Sequence, residues 1–532
     1  MNKLYEIYYI GISDFLDRIR SKSTLIMSLL IIYVSYLFFP QSNSSFYYTL
    51  NYTFGNYFYR GIYNSMWVGW VATVAFISIV TLVGFYFIRN SIKRERDLLV
   101  GEISASTGIK SWIFIFGKAF GNLLFLLFQM LIVILVTIIM QFVRGESYSL
   151  HLIKLLTPFL LLAVPACFIT AIIAIIFEII PFLKSTFGNI VYFSAWCTIV
   201  IFSFTNKSSL FSDVFGLNAI SKIISQQLKA NFKEFANVNS FNIGSSGPLH
   251  GNIKTFVMDK VNIGSNVFFE RLFWILIGIL LLFLVSTFFK RTSLIRKKAP
   301  KSINTIIKPK GYTPSKSTTL SDIFENKAYS NSFSILKSNL KIILSSLNLY
   351  WYGALIACFI GVLFAKGDAL NKFLIPLIWI LPIVVWSKLG SIQRDFNMES
   401  YLLTYKNYRN GEPLNSAIAG ILFTLLINAS IIIKFLAMNN LLGVLYILMA
   451  IFFVNAFGIF TGSFFKSSTF FEMIYIILWY VGILNGLPTL DFLGITAKSA
   501  SYHIPVIFLV IGGVLMVASI IIRNARTRIK TH

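Results

Sequence analysis

Twelve long apolar stretches constrain this chain more than any other feature. A helix needs about 20 mainly apolar residues to cross a bilayer. Stretches that approach or reach this length lie at 24–39, 66–88, 120–143, 155–177, 187–204, 272–289, 349–365, 373–387, 416–436, 442–460, 471–485 and 503–522. Only 12% of the residues are charged, whereas soluble domains carry about 25%. The sequence therefore predicts an all-α membrane protein with about twelve transmembrane helices, and it excludes an ordinary soluble enzyme.

The distribution of positive charge predicts how the chain crosses the membrane. Lysine and arginine number 46 against 20 acids, and they are concentrated after the second stretch, in the segment 290–330 and in the tail. Because basic loops stay in the cytoplasm, both termini are expected there, in the plasma membrane of a bacterium. The outer loop 40–65 has one charge, Arg60, among six tyrosines that we expect at headgroup level. Topology thus accounts for the charge, and nucleic acid is not an expected partner.

The chain reads as two fused halves. The predicted organisation is a six-span half at 1–289, a basic cytoplasmic linker at 290–330 and a second six-span half at 331–532. Ser91-Ile92-Lys93-Arg94-Glu95 follows the second stretch, and Ser391-Ile392-Gln393-Arg394-Asp395 follows the eighth. This match, together with an amphipathic segment at the start of each half, predicts two six-span repeats.

Each amphipathic segment predicts an interfacial elbow helix. Ile12, Phe15, Leu16 and Ile19 recur at helical spacing, and the charged residues on the opposite face are Asp14, Asp17, Arg18 and Arg20. The residues Phe333, Leu336, Leu340 and Ile343 repeat this pattern. We expect such helices to lie in the membrane surface with the basic side toward the headgroups.

The loop after the second stretch carries a family resemblance. Residues 94–103, followed by Ser106-Thr107-Gly108 and Gly117-Lys118, resemble the cytoplasmic loop of type-2 ATP-binding-cassette (ABC) exporter permeases. In that family a Glu-Arg pair, a further Glu and a Ser/Thr turn precede a Gly-Lys that opens the third span. The family also has an elbow helix and six spans per half. The second half keeps an acid at Glu399 but lacks the Gly-Lys.

The resemblance implies the permease subunit of an exporter, without an ATPase site of its own. Membrane lipids and two copies of a separate ATPase, which would bind the ATP, are the implied partners. The implied ATPase-coupling residues are Arg94, Glu95, Glu102, Arg394, Asp395 and Glu399. Independently, a short helix with both signs of charge can dock into a soluble partner and pass motion to the spans. Glu95 and Glu102 are about two helical turns apart, so we expect them to face the same way.

The chain has no recognisable nucleotide or metal site of its own. Six residues separate Gly101 from Gly108, and Ile109 precedes Lys110, whereas a phosphate-binding loop needs four residues and an immediate lysine. The four histidines are scattered without a second ligand nearby. We therefore expect no cofactor and no metal in this chain.

Few polar residues lie inside the predicted spans. Gln129 and Asn428 occupy nearly equivalent places in the third and ninth stretches. They can hydrogen-bond between helices or line a path for substrate. The low ionisable content favours a hydrophobic or amphipathic cargo, such as a peptide, a lipid-like molecule or a drug.

Two other functions stay open as alternatives. An ion-coupled secondary transporter would need acids or histidines at the midplane, which are nearly absent here. A membrane enzyme acting on lipids would need paired carboxylates or an activated nucleophile, and neither pattern is evident. The outer loop 205–270, with a mobile turn expected at 244–248, is predicted to form a cap or gate.

Overall fold

The computed structural model describes most of the chain and divides it into two units. The described residues are 3–42, 48–54, 57–97, 100–184, 186–205, 213–232, 234, 242–246, 252–259, 261, 263–289, 332–345, 347, 349–364, 370–391, 406–465, 468–484 and 488–530. The units are Met1–Ser302 and Ile303–His532. The division between them falls within the predicted linker 290–330, which is not among the described residues.

The first unit consists mainly of helices, as expected where a bilayer leaves backbone polar groups no water to bind. Its helices are α1 (Lys3–Ile19), α2 (Lys22–Leu37), α3 (Ser65–Ile79), α4 (Phe85–Ile88), α5 (Ser91–Asp97), α6 (Val100–Ser106), α7 (Ser111–Arg144), α8 (Leu152–Pro158), α9 (Val164–Ile179), α10 (Thr186–Thr205), α11 (Leu217–Asn231) and α12 (Ser265–Phe288). π-helical turns at Val80–Gly84 and Phe159–Ala163 join α3 to α4 and α8 to α9. The second turn directly follows Pro158, which has no N–H to offer a helical hydrogen bond.

The second unit is helical wherever the structure describes it, apart from short turns. Its helices are α13 (Ser332–Ser345), α14 (Leu349–Phe364), α15 (Ile375–Ile380), α16 (Ile383–Trp386), α17 (Lys406–Ala437), α18 (Leu441–Phe465), α19 (Ser468–Leu478), α20 (Ala497–Ser501) and α21 (Ile504–Lys530). π-helical turns at Leu370–Leu374 and Trp479–Leu484 extend α15 and α19.

Seven helical segments of the described chain are long and apolar enough to cross a membrane. They are Ser65–Arg96, Ser111–Arg144, Leu152–Ile179, Ser265–Phe288, Leu414–Ala437, Leu441–Phe465 and Ile504–Asn524. The five other stretches expected to span lie on shorter helical segments. A mostly helical membrane protein is therefore what the structure supports, and the count of twelve spans stays a prediction.

A four-stranded sheet joins the two loops of the first unit that were predicted to lie outside. Its strands are β1 (Tyr48–Phe54), β2 (Tyr57–Gly61), β3 (Asn242–Ser246) and β4 (Asn252–Phe256), in the order β3-β1-β2-β4. β1 is antiparallel to β2 and β3, and β2 is parallel to β4. Strands from the loops 40–65 and 205–270 thus form one sheet, and the expected mobile turn at 244–248 begins inside β3.

Burial in this sheet corrects the expected role of its tyrosines. Tyr52 and Tyr59 face each other across β1 and β2 and are fully buried, and Tyr63 is buried beyond the sheet. The expectation that the tyrosines of this loop lie among lipid headgroups is wrong for these three residues. Arg60, the one charge of the loop, is buried as well and donates two hydrogen bonds to Glu146, at 2.7 and 2.8 Å.

Candidate coupling site

The loop after the second span forms two short helices, α5 and α6. The sequence predicted one short helix with Glu95 and Glu102 on a common face. In the structure the two acids lie on different helices, and residues 98 and 99 between those helices are not described. Glu95 is mostly buried, with 19% of its side chain exposed, whereas Glu102 is exposed. The expected common orientation is therefore wrong.

The N-terminus of α5 is fixed to the end of the fourth predicted span. Glu178, near the end of α9, accepts hydrogen bonds from the backbone N–H groups of Ser91 and Ile92 at 2.9 and 2.7 Å, and from the Ser91 hydroxyl at 3.0 Å. A carboxylate at this position satisfies N–H groups that a helix leaves free and lies at the positive end of its dipole. The loop helix therefore cannot move without moving α9 or breaking these bonds.

The other end of α5 is fixed by a buried lysine at the start of the third predicted span. The Lys118 ammonium, with 2% of its side chain exposed, lies 2.5 Å from Glu95 and 2.8 Å from Asp14. Asp14 also receives a hydrogen bond from Arg18 at 2.9 Å. Burial by itself raises the pKa of Asp14, but Arg18 and Lys118 outweigh it, so that its pKa is lowered. Lys118 therefore joins α1, α5 and α7 through charged groups.

Two further contacts extend this group of charges. The Arg18 guanidinium donates to the carbonyl of Ile88 at 3.2 Å, which ties α1 to the end of α4. Arg94 forms an ion pair with Asp17 at 2.7 Å, with 40% and 57% of the two side chains exposed. Such an exposed pair contributes about 0–1 kcal/mol, so the buried contacts of Lys118 and Glu178 are the stronger constraints on α5.

Close approach of glycines brings the elbow helix α1 onto α7. A Cβ added at Gly11 would lie 2.5 Å from the Phe120 ring and 3.1 Å from the Gly117 carbonyl, and one at Gly121 would lie 2.9 Å from the Gly11 carbonyl. Small residues four apart allow helix backbones to approach in this way. The Gly117-Lys118 pair therefore supplies both the space and the charge for this contact.

This packing corrects the predicted orientation of the elbow helix. Asp14 and Arg18 were expected on the face toward headgroups and water, but both are buried against α7, while Asp17 and Arg20 are exposed as predicted. The outward face combines these two charges with exposed aromatic and apolar residues, which are Leu4, Tyr5, Tyr8, Tyr9 and Leu16. The helical spacing was read correctly, but the ion pairs move two of its charges inward.

The second loop helix, α6, presents an apolar outward face. Val100 and Ile103 are 47% and 67% exposed, beside the exposed Glu102. On the inward side Ala105, and Ile109 just after the helix, pack against a core cluster that includes Ile115 and Ile179. Exposed apolar residues beside a charge are found at surfaces that contact another protein or a membrane.

The remaining residues predicted for coupling and for the substrate path are placed differently. Arg394, Asp395 and Glu399 lie outside the described residues. Gln129 is buried, and its amide nitrogen lies 3.4 Å from the Ser28 hydroxyl on α2. It therefore forms a hydrogen bond between helices, which is one of its two predicted roles. Asn428 is fully buried; its amide nitrogen donates to the Thr424 carbonyl, and its Oδ1 has no partner among the described residues.

Sequence reasoning missed several residues of this site. Asp14 and Arg18 were expected on the solvated face of the elbow helix, and Lys118 was considered only as part of a motif. The contact of Glu178 with α5 was not predicted. The spacing of Asp14 and Arg18, four residues apart on a helix, was an available signal for an ion pair. The pairing of Lys118 with Glu95 had no such signal, because it joins two helices across a turn.

No family model, curated protein or solved structure matches this chain. Among the described residues, no group of three or more histidine, cysteine, aspartate or glutamate side chains could hold a metal ion. The arrangement of α5 and α6 is therefore the feature that bears on function.

Proposed function

We propose that this chain is the permease subunit of an ABC exporter of a bacterial plasma membrane. Two fused six-span halves with both termini in the cytoplasm would carry a hydrophobic or amphipathic cargo outward. Two copies of a separate ATPase would bind and hydrolyse the ATP, and this chain would hold no nucleotide. The seven membrane-length helices and the resemblance of the loop 94–118 to such permeases support the proposal.

One observation carries the proposal: the loop helices combine rigid attachment with an exposed contact surface. Glu178 and Lys118 fix the two ends of α5 to α9 and α7. Next to it, α6 exposes Val100, Glu102 and Ile103. A partner that binds α6 and moves would therefore displace the spans as well. A transport subunit driven by an external ATPase requires such a transfer of motion.

A shared arrangement of aromatic residues supports the two-repeat organisation. On α10 the Tyr192 hydroxyl donates to the carbonyl of Thr81, and the Trp196 indole N–H donates to the Thr81 hydroxyl. In the second unit Tyr475 and Trp479, also four residues apart, donate to the carbonyls of Trp379 and Pro376. In each unit a Tyr-x-x-x-Trp of the fifth predicted span therefore binds polar groups of the second.

The test is co-purification of an ATP-hydrolysing subunit with the full chain from its native cells. Wild-type protein and the variants Glu102→Lys and Ile103→Asp would be extracted in mild detergent and assayed for bound protein and ATP hydrolysis. We expect an ATPase with the wild type and its loss in both variants, since a reversed or unpaired charge at an interface disfavours binding. Ser106→Asp, at an exposed position near the end of the same helix, is the control for added charge. Absence of any ATPase with the wild type would overturn the proposal.

A further inference from the structure

Both units contain the same bend between their fifth predicted span and their last long helix. The sequence Asp213-Val-Phe-Gly216 precedes α11, and Asp491-Phe-Leu-Gly494 precedes α20. Gly216 has φ +90° and Gly494 has φ +67°, a left-handed conformation that favours glycine. They are the only glycines with positive φ among the described residues. An acid followed three residues later by such a glycine is thus a feature of each unit.

In the first unit the carboxylate of Asp213 organises the start of α11. It accepts backbone N–H groups from Gly216 at 2.9 Å, Asn218 at 3.1 Å and Ala219 at 3.0 Å. These are N–H groups of the first turn of the helix, which would otherwise lack partners. Asp213 is buried, so each of these bonds is protected from water.

In the second unit Asp491 holds the turn that leads into α20. Its carboxylate accepts the backbone N–H groups of Leu493 at 3.2 Å and Thr496 at 2.8 Å, and the hydroxyl of Thr496 at 2.8 Å. Its backbone carbonyl accepts the Ser499 hydroxyl at 2.8 Å. In both units the residue five positions after the aspartate, Asn218 or Thr496, therefore donates its N–H to the carboxylate.

Each glycine also packs against equivalent helices of its own unit. A Cβ at Gly216 would lie 3.2 Å from Leu162 in the fourth predicted span and 3.3 Å from Arg271 on α12. A Cβ at Gly494 would lie 2.8 Å from Tyr446 on α18 and 3.0 Å from Pro505 on α21. The two bends therefore occupy corresponding places, between the fourth and the last predicted span of each unit.

The two bends differ in charge. Arg271 lies against Asp213, with 3% of each side chain exposed; its guanidinium donates to the Asp213 carbonyl at 2.5 Å and lies 3.3 Å from the carboxylate. Among the described residues, no lysine or arginine forms an ion pair with Asp491. The first bend is thus held by an arginine of the last predicted span in addition to its neutral donors. The second bend is held by neutral donors alone.

We propose that Asp213 and Asp491 are positioning residues of the outer release path, and that the segment after Asp491 is the one that opens. The inference rests on the proposed function, because it assigns the bends to the outer side of a transport cycle. The first segment stays closed because opening it would separate a buried ion pair, whereas opening the second breaks only hydrogen bonds that water can replace.

The test is hydrogen–deuterium exchange of the full chain in lipid nanodiscs made from phosphatidylethanolamine and phosphatidylglycerol. In the wild type we expect the amides of 493–501 to exchange about tenfold faster than those of 216–224. Asp491→Asn should accelerate exchange in 493–501 by a further factor of about ten, since bonds to a charged acceptor are the stronger ones. Asp213→Asn should instead lower the yield of folded protein, because it removes the nearer of the two acids beside the buried Arg271 and leaves only Glu270, at 3.9 Å.

Asp259→Asn, at an exposed aspartate of the first unit, is the control and should change neither segment. A positioning role also predicts that Asp491→Asn alters ATP hydrolysis of the co-purified complex, which Asp259→Asn should not do. Equal exchange of the two segments in the wild type, or unaltered hydrolysis in Asp491→Asn, would overturn the inference. Failure of the wild type to retain an ATPase would instead count against the proposed function. The exchange rates of the two segments do not depend on that result.

Discussion

The Lys118 ammonium lies 2.5 Å from the Glu95 carboxylate, and this ion pair joins the loop helix α5 to the start of α7. Both residues belong to the pattern that resembles exporter permeases, in which a Glu-Arg precedes a Gly-Lys. The structure gives this spacing a physical reason, because the lysine of one element is the countercharge of the glutamate of the other. Glu95 is consequently a residue that holds the loop, while Glu102 remains the candidate for contact with a partner.

Reversing the charge at Glu95 should destabilise the protein. Glu95→Lys would place a second ammonium beside Lys118, which is almost fully buried. Loss of one partner from a buried pair costs about 3–5 kcal/mol. We expect less monodisperse protein in detergent and a lower midpoint of thermal unfolding, measured by fluorescence-detected size exclusion.

Two variants control this experiment. Glu102→Lys changes an exposed acid of the same loop and should leave the unfolding midpoint unchanged. The exchange Glu95→Lys with Lys118→Glu should recover only part of the loss, because Asp14 also contacts Lys118. Wild-type yield and midpoint for Glu95→Lys alone would show that the pair has no structural role.

The close crossing of α1 and α7 should not tolerate larger residues. Gly121→Val would force side-chain atoms against the Gly11 carbonyl and the Asp14 carboxylate, which lie 2.9 and 3.0 Å from an added Cβ. Overpacking of this kind typically costs about 1–3 kcal/mol. We expect a lower thermal midpoint, together with faster proteolysis of α1. Gly108→Ala is the matched control, because a Cβ there meets nothing within 4 Å; if it lowered the midpoint as much, the steric explanation would fail.

The sequence predicted the elements of the coupling site better than its contacts. The elbow helix, the loop between two spans and the Gly-Lys at the start of α7 are all local patterns that residue spacing can reveal. Which charges are buried depends on how α1 crosses α7, and amphipathic spacing alone placed Asp14 and Arg18 on the wrong side. The hydrogen bonds between Glu178 and the N-terminus of α5 join two helix ends that lie 80 to 90 residues apart in sequence.

The ion pair between Arg60 and Glu146 should make the sheet region sensitive to acid. The hydrogen bonds from Arg60 lower the pKa of Glu146, burial raises it, and the hydrogen bond from the Tyr63 N–H lowers it further. The net result is a pKa below the ordinary value of 4.5. Because the folded pKa is depressed, the stabilisation is complete above that ordinary value and is lost as pH falls through the folded pKa. Hydrogen–deuterium exchange of 48–61 should therefore accelerate in acid, after correction for the intrinsic rate.

Glu146→Gln is the matching variant for that pH dependence. It should show the faster exchange of 48–61 already near neutral pH and little further change on acidification, because the titrating group is gone. A wild type and a variant with the same pH dependence would show that another group controls this region.

The four-stranded sheet could not be predicted from the sequence, for a different reason. β1 and β2 are short and rich in tyrosine, a composition that also fits an interfacial belt. Their partners β3 and β4 lie about 190 residues further along the chain, and nothing local indicates such pairing. The burial of Tyr52 and Tyr59 follows from that long-range pairing and could not be inferred without it.

The orientation of the chain can be tested at two exposed positions of the first unit. Ser106 is the last residue of the loop helix α6, and Tyr148 lies after α7 and is 70% exposed. Basic loops placed Ser106 in the cytoplasm, and α7, with 34 residues, is long enough to carry the chain across. In a background with Cys167, Cys197 and Cys358 replaced by serine or alanine, Tyr148→Cys should react with an impermeant maleimide on intact cells, and Ser106→Cys should react only after lysis. Equal labelling of both positions on intact cells would exclude a single crossing by α7 and with it the proposed placement of the coupling loop.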